Sequence, residues 1–275
     1  MKPLRVSAIS YLNTAPLMWD FEHTSVGSSF EVSYTIPSQC AASLQHGSGD
    51  IGIIPAAAYT TVPDLVILPG VAIASRRAVR SILLVSKVRL EDIRTVALDN
   101  SSLTSVALLK VLFSRWWGGG RSYELQGPDI HHMLKEHDAG LVIGDPALRI
   151  DRSQYITYDL AGEWIRFTGK PFVFAFWAVR REALQHTDLD LAAIFQQSRD
   201  NGLAPQNLQQ IAREWAPRLG LTPHEIKCYL TENIHYYLDP YCIEGMNLFF
   251  RYASECGALP QAPGLCFLEH NTAVL

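Results

Sequence analysis

Strands that alternate with helices of about ten residues predict an α/β protein of two lobes with a ligand cleft between them. Three observations support this. Strand and helix patterns alternate from the N-terminus, the alternation restarts after Lys87, and the long β-rich run "PFVFAFWAVR" can carry the chain back to the first lobe. At 275 residues the chain exceeds the commonest single-domain size, which agrees with two lobes.

The elements follow in order. "LRVSAIS" reads as a strand, "APLMWDFEH" as a helix and "FEVSYTI" as a strand. "PSQCAASLQHG" is a helix opened by Pro37 and closed by Gly47, and "DIGIIP" is the next strand. "DLVILPGVAIAS" and "RSILLVSK" are two further apolar, β-branched stretches. In the second set "TVALDN" is a strand, "SSLTSVALLKVLFSRWW" a helix, "WWGGGRS" a flexible turn and "AGLVIGD" a strand. From about residue 187 the chain turns helical. "TPHE" fits a capping box with Thr222 as N-cap and Glu225 reaching back, and Asp239, Pro240 and Gly257 bracket a last helix. The predicted lobes are 1–87 with 180–275, and 88–171, with 172–179 as the return crossing and hinge.

Hydrophobic residues make up 48% and charged residues 18%, as in a compact globular chain, and the net charge of −4 comes without any basic, aromatic-rich patch. Nucleic acid is therefore not an expected partner. No run approaches the roughly 18 apolar residues that span a bilayer. The start "MKPLRVSAISYLN" reads as a first strand, so a soluble, cytoplasmic protein is expected. Five cysteines include no C-x-x-C pair, which suggests neither a disulfide framework nor a zinc site. Cys40, near a helix start, is the one thiol that the helix could activate, although a buried free thiol is the default reading. His131, His132 and His137 are poorly aligned for a metal, and no dinucleotide, P-loop or nucleophile-elbow motif occurs. Neither a metal nor a cofactor is expected.

Candidate chemistry sits in four polar turns at predicted carboxyl ends of strands, where ligands of open α/β folds bind. "SYLNT" offers Tyr11 and Asn13, and "IPSQCAASL" places Ser38 and Gln39 at a helix opening. "LDNSSLTS" gathers Ser101, Ser102, Thr104 and Ser105 at one helix start, more hydroxyls than an N-cap needs. "VIGDPAL" adds Asp145 before Pro146. Neutral hydrogen-bond donors and helix N-termini with few fixed charges suit a carboxylate-bearing metabolite.

The stretches "YLNTAPL", "PSQCAASLQHGSGDIGIIPAAAY", "VALDNSSLTSVALLKVL", "VIGDPAL" and "DLAGEWIRFTGKPFVFAFWAV", in this order, resemble the chorismate dehydratase family of the futalosine route to menaquinone. The resemblance covers about residues 4 to 180. It implies a fold similar to the type II periplasmic binding proteins, and removal of water from chorismate to give 3-[(1-carboxyvinyl)oxy]benzoate without metal or organic cofactor. Carried over by motif, it puts Asn13 and Ser81 beside the departing hydroxyl as the catalytic pair. Tyr11, Ser38, Ser101, Ser102 and Thr104 would bind substrate, the hydroxyls at the helix starts anchoring carboxylates, while Asp145 and Trp164 would line or close the cleft.

Leu103 stands at the centre of "SSLTS", where relatives resembling this chain carry arginine, so a compensating charge is sought in Arg76, Arg77 or Arg80. Two other functions stay open at this point. One is a carboxylate-binding protein on the same scaffold. The other is the related synthase of 1,4-dihydroxy-6-naphthoate, which needs a roomier cleft and, by resemblance, a catalytic histidine. Homodimerisation also stays open.

Overall fold

The computed structural model describes residues 3–269 and contains two five-stranded sheets. The chain opens with β1 (Leu4–Ile9), a 3-10 segment over Leu12–Met18 and a short α1 (Trp19–His23). Next come β2 (Phe30–Thr35), α2 (Pro37–Gln45), β3 (Ile51–Pro55) and the long β4 (Leu65–Ser75). The second set runs β5 (Ile82–Ser86), β6 (Thr95–Asp99), α3 (Leu103–Leu112), β7 (Ser122–Gln126), α4 (Ile130–Glu136), β8 (Ala139–Ile143), α5 (Gly144–Leu148), β9 (Ile156–Asp159) and α6 (Leu160–Thr168). It ends with β10 (Phe172–Arg180) and four helices, α7 (Leu191–Leu203), α8 (Pro205–Leu219), α9 (Pro223–Cys228) and α10 (Pro240–Glu255).

The first sheet has the order β2-β1-β3-β10-β4 and the second β7-β6-β8-β5-β9. The two orders are equivalent. In each, three parallel strands continue into an antiparallel strand that the chain supplies on crossing from the other sheet: β10 returns to the first and β5 enters the second. Strands covered on both faces read as continuous apolar runs. Accordingly β3, β5 and β8 are buried throughout, whereas the edge strands β2 and β7 are largely exposed.

The sequence reading ended the first lobe at residue 87, but "ILLVS" pairs with β8 and β9 in the second sheet. The outward crossing therefore lies before Ile82, and Ser81 belongs to that crossing. An apolar strand carries no mark of the sheet it joins, so local pattern could not place it. The strands β7 and β9 were also missing from the sequence reading, being short and half-exposed.

The C-terminal helices buttress the turn after β1. A Cβ on Gly202 of α7 would meet the Pro16 carbonyl oxygen at 1.9 Å, so helix and turn are in backbone contact. Ser198 Oγ donates to the Leu17 carbonyl and accepts from Asp20 N, and Asn201 Nδ2 donates to the Asp20 carboxylate. The capping box of α9 is formed as its sequence requires: Glu225 N donates to Thr222 Oγ1, and Thr222 N to the Glu225 carboxylate. Asp239 caps α10 by accepting from Cys242 N. Among the described residues no helix is long and apolar enough to cross a membrane.

Candidate active site

Three backbone features converge between the sheets. The turn after β1 carries Tyr11 and Asn13, the outward crossing carries Ser81, and the N-terminus of α3 carries Ser102, Thr104 and Ser105. These side chains line one cavity, closed off by Phe174 and Ile73 of the first sheet and Ile143 of the second. Its empty space is about 450 Å³, counting the part open to solvent. None of the described residues lining it carries a formal charge.

Each polar group is set by a local contact. Ser102 is the N-cap of α3, its Oγ accepting from Ser105 N at 3.3 Å. Thr104 Oγ1 accepts from Ala57 N at 3.0 Å and so ties α3 to the first sheet, with its own hydroxyl proton left to donate. Ser81 is 1% exposed, and its carbonyl accepts from Gly144 N at 2.8 Å. Gly144 has φ +64°, and a Cβ there would lie 2.6 Å from the Tyr11 ring, so glycine lets that ring approach the turn this closely. The Pro37 end of α2 opens into the same space, although Pro37 has no N–H and the Gln39 and Cys40 N–H groups already donate to the Ile36 carbonyl.

Two carboxyls stand behind this wall. Asp145 Oδ1 accepts from Leu12 N at 3.0 Å, a second tie between the lobes. Burial pushes its carboxyl up to about 6, although the Leu12 N–H and Arg149 favour the ionised form. Asp99 is fully buried: Oδ1 accepts from Ser101 N and Oγ, Oδ2 has no protein partner, and burial raises this acid as well. Burial also raises the Tyr11 phenol.

The structure thus brings Tyr11, Asn13, Ser81, Ser102 and Thr104 to one wall. Ser101 and Asp145 support that wall from behind, and Ser38 sits half-buried in the first turn of α2 beside the lining residue Pro37. Trp164 is placed elsewhere. It is 0% exposed, surrounded by Phe172, Phe249 and Tyr252, and its Nε1 donates to the Pro171 carbonyl, so it packs α6 onto the core and does not wall the cleft. Of the three arginines considered as substitutes for a charge at Leu103, none lines the cavity. Arg76 pairs with Asp239, and Leu103 itself is 42% exposed. Burial pushes the Cys40 thiol up to about 11, which keeps it protonated despite its helix. His235, Asp239 and Cys242 are the one group of metal-ligand type among the described residues, and there the Arg76 guanidinium already occupies the carboxylate.

Sequence reasoning missed Tyr229. It is 2% exposed, and its hydroxyl donates to Ser81 Oγ at 2.9 Å from 148 residues away. No local signal announces such a contact.

Residues 4–255 match the sequence profile of a family described as menaquinone biosynthesis. The chain belongs to this family. Among curated relatives it is 30% identical to the chorismate dehydratase of Thermus thermophilus, over 96% of this chain and 98% of the relative. A crystal structure of an Archaeoglobus fulgidus protein superposes with a TM-score of 0.74 at 18% identity, covering 94% of this chain and 98% of that one. The alkanesulfonate-binding protein of Xanthomonas axonopodis pv. citri, bound to MOPS, gives 0.67 at 16% identity, covering 95% and 96%. This family member therefore has the periplasmic-binding-protein fold, with its cavity at the junction of the two sheets.

Proposed function

We propose that this protein is a cytoplasmic hydro-lyase that removes water from chorismate to give 3-[(1-carboxyvinyl)oxy]benzoate. The cavity between the sheets supports this function most directly. Its polar wall consists of hydroxyls, an amide and the N-termini of α2 and α3, a lining that binds carboxylates through dipoles and leaves the chemistry to the substrate.

The substrate's ring carboxylate, conjugated through the adjacent double bond, acidifies the hydrogen on the ether-bearing carbon. When that C–H bond breaks, its electron pair spreads towards the ring carboxylate as an extended enolate. The pair then returns to form the new ring double bond as the neighbouring carbon–oxygen bond breaks. The departing hydroxide takes up a proton and leaves as water, and aromatisation drives the step. The site binds and orients the substrate, stabilises the charge developing on its carboxylate, and donates to the departing oxygen. Asn13 and Ser81 supply that donation from one wall. Among the described residues no Asp, Glu, His or Lys lines the cavity, so the proton acceptor is assigned to the substrate's own enolpyruvyl carboxylate.

The test is incubation of purified, metal-stripped protein with chorismate, followed by mass spectrometry and ultraviolet absorption. Loss of one water with a growing aromatic band is expected. Tight binding without turnover would make the protein a binding module on this scaffold, and no interaction would remove chorismate as its ligand.

A further inference from the structure

Tyr229 begins the widened turn Tyr229–Asn233 that follows α9, in the helical part of the chain for which the motifs suggest no chemistry. Its ring is buried and its hydroxyl reaches the cavity wall from behind. It donates to Ser81 Oγ at 2.9 Å, and Ser81 lines the same cavity as Asn13. Burial raises the phenol far above its ordinary range, so it remains a neutral donor.

A serine hydroxyl has one proton and two acceptor positions. With Tyr229 donating into one of the acceptor positions, the Ser81 proton is turned away from the phenol and towards the space that Ser81 lines. The bond therefore runs in one direction, from the Tyr229 hydroxyl to Ser81 Oγ.

We propose that Tyr229 is the positioning residue of this site: its hydroxyl orients Ser81 so that the Ser81 proton faces the oxygen that departs. Tyr229 does not touch substrate and acts through Ser81. This role rests on the chorismate dehydration proposed above. It also ties the site to the C-terminal helices, because Tyr229 is fixed by α9, which packs on α8.

The experiment compares wild type, Tyr229→Phe, Ser81→Ala and the double variant for kcat and KM with chorismate, and for thermal midpoint. Phenylalanine keeps the ring and removes only the hydroxyl. Misplacing a catalytic donor by about an ångström costs on the order of 10²-fold in rate. Tyr229→Phe should therefore lower kcat about 10- to 100-fold with KM changed less than about threefold. The double variant should be no slower than Ser81→Ala alone, because both changes break the same hydrogen bond. Wild-type kcat in Tyr229→Phe, or losses that multiply in the double variant, would overturn the role, as would a loss of kcat matched by a collapse of the thermal midpoint. Wild-type protein that fails to turn over chorismate would remove the proposed function and this role with it. Wild-type turnover with an unaffected Tyr229→Phe variant would remove the role alone.

Discussion

Replacing Asp145 by asparagine should stabilise the protein at neutral pH and leave it unchanged in acid. The Asp145 carboxyl is pushed up from its ordinary 3.8 to about 6, with burial as the main cause. The folded chain thus holds this proton more tightly than the unfolded chain does. The stabilisation that the protonated group contributes is complete below about pH 4 and is lost as pH rises through about 6. At about 1.4 kcal/mol for each tenfold difference, the loss reaches up to about 3 kcal/mol. Asparagine cannot ionise, and its side-chain oxygen can still accept from Leu12 N, as Asp145 Oδ1 does at 3.0 Å. The variant should match wild type near pH 4 and exceed it by up to about 3 kcal/mol above about pH 7. Urea unfolding of both proteins across this range, followed by tryptophan fluorescence, measures the difference. Asp99 and Asp159, also raised by burial, contribute to both curves and cancel. Parallel curves for the two proteins, or a variant that weakens relative to wild type as pH rises, would refute the reasoning.

Gly144→Ala puts a methyl group 2.6 Å from the Tyr11 ring at a positive φ, so overpacking and backbone strain together should cost about 2–4 kcal/mol. The thermal midpoint should fall and turnover should fall with it; an unchanged midpoint would mean that the ring gives way freely. Trp164→Ala should cost about 3–5 kcal/mol of stability but leave KM for chorismate unchanged at a temperature where the variant is folded. A large rise in KM there would return Trp164 to the cleft wall. Thr104→Val leaves the buried Ala57 N–H without its acceptor, a loss of about 1–3 kcal/mol measurable by chemical denaturation, and stability equal to wild type would argue against that tie between the lobes.

What could be read from the sequence was local chemistry. Ser102 and Thr104 are visible because a helix start demands hydroxyls of its own, and Thr222 with Glu225 because a capping box spans only four residues. Asn13 stands out because a polar turn leaving a buried strand needs a reason. Assignments that failed depended on distant partners. "ILLVS" reads equally well in either sheet, and only its pairing with β8 and β9 decides between them. Trp164 was set at the cleft by its motif, yet its position follows from Phe172 and Phe249, which the chain brings in later. Tyr229 had no signal at all, since a tyrosine in a mixed polar and apolar helical stretch is ordinary until Ser81 is found against it.

The most direct test of the central claim is single-turnover kinetics of wild type and Asn13→Ala with chorismate, followed through the aromatic absorption of the product. The variant should bind chorismate with affinity within about threefold of wild type and form product about 10²- to 10³-fold more slowly, the cost of losing one donor to a developing charge. Equal rates in the two proteins, or no product from wild type, would contradict it.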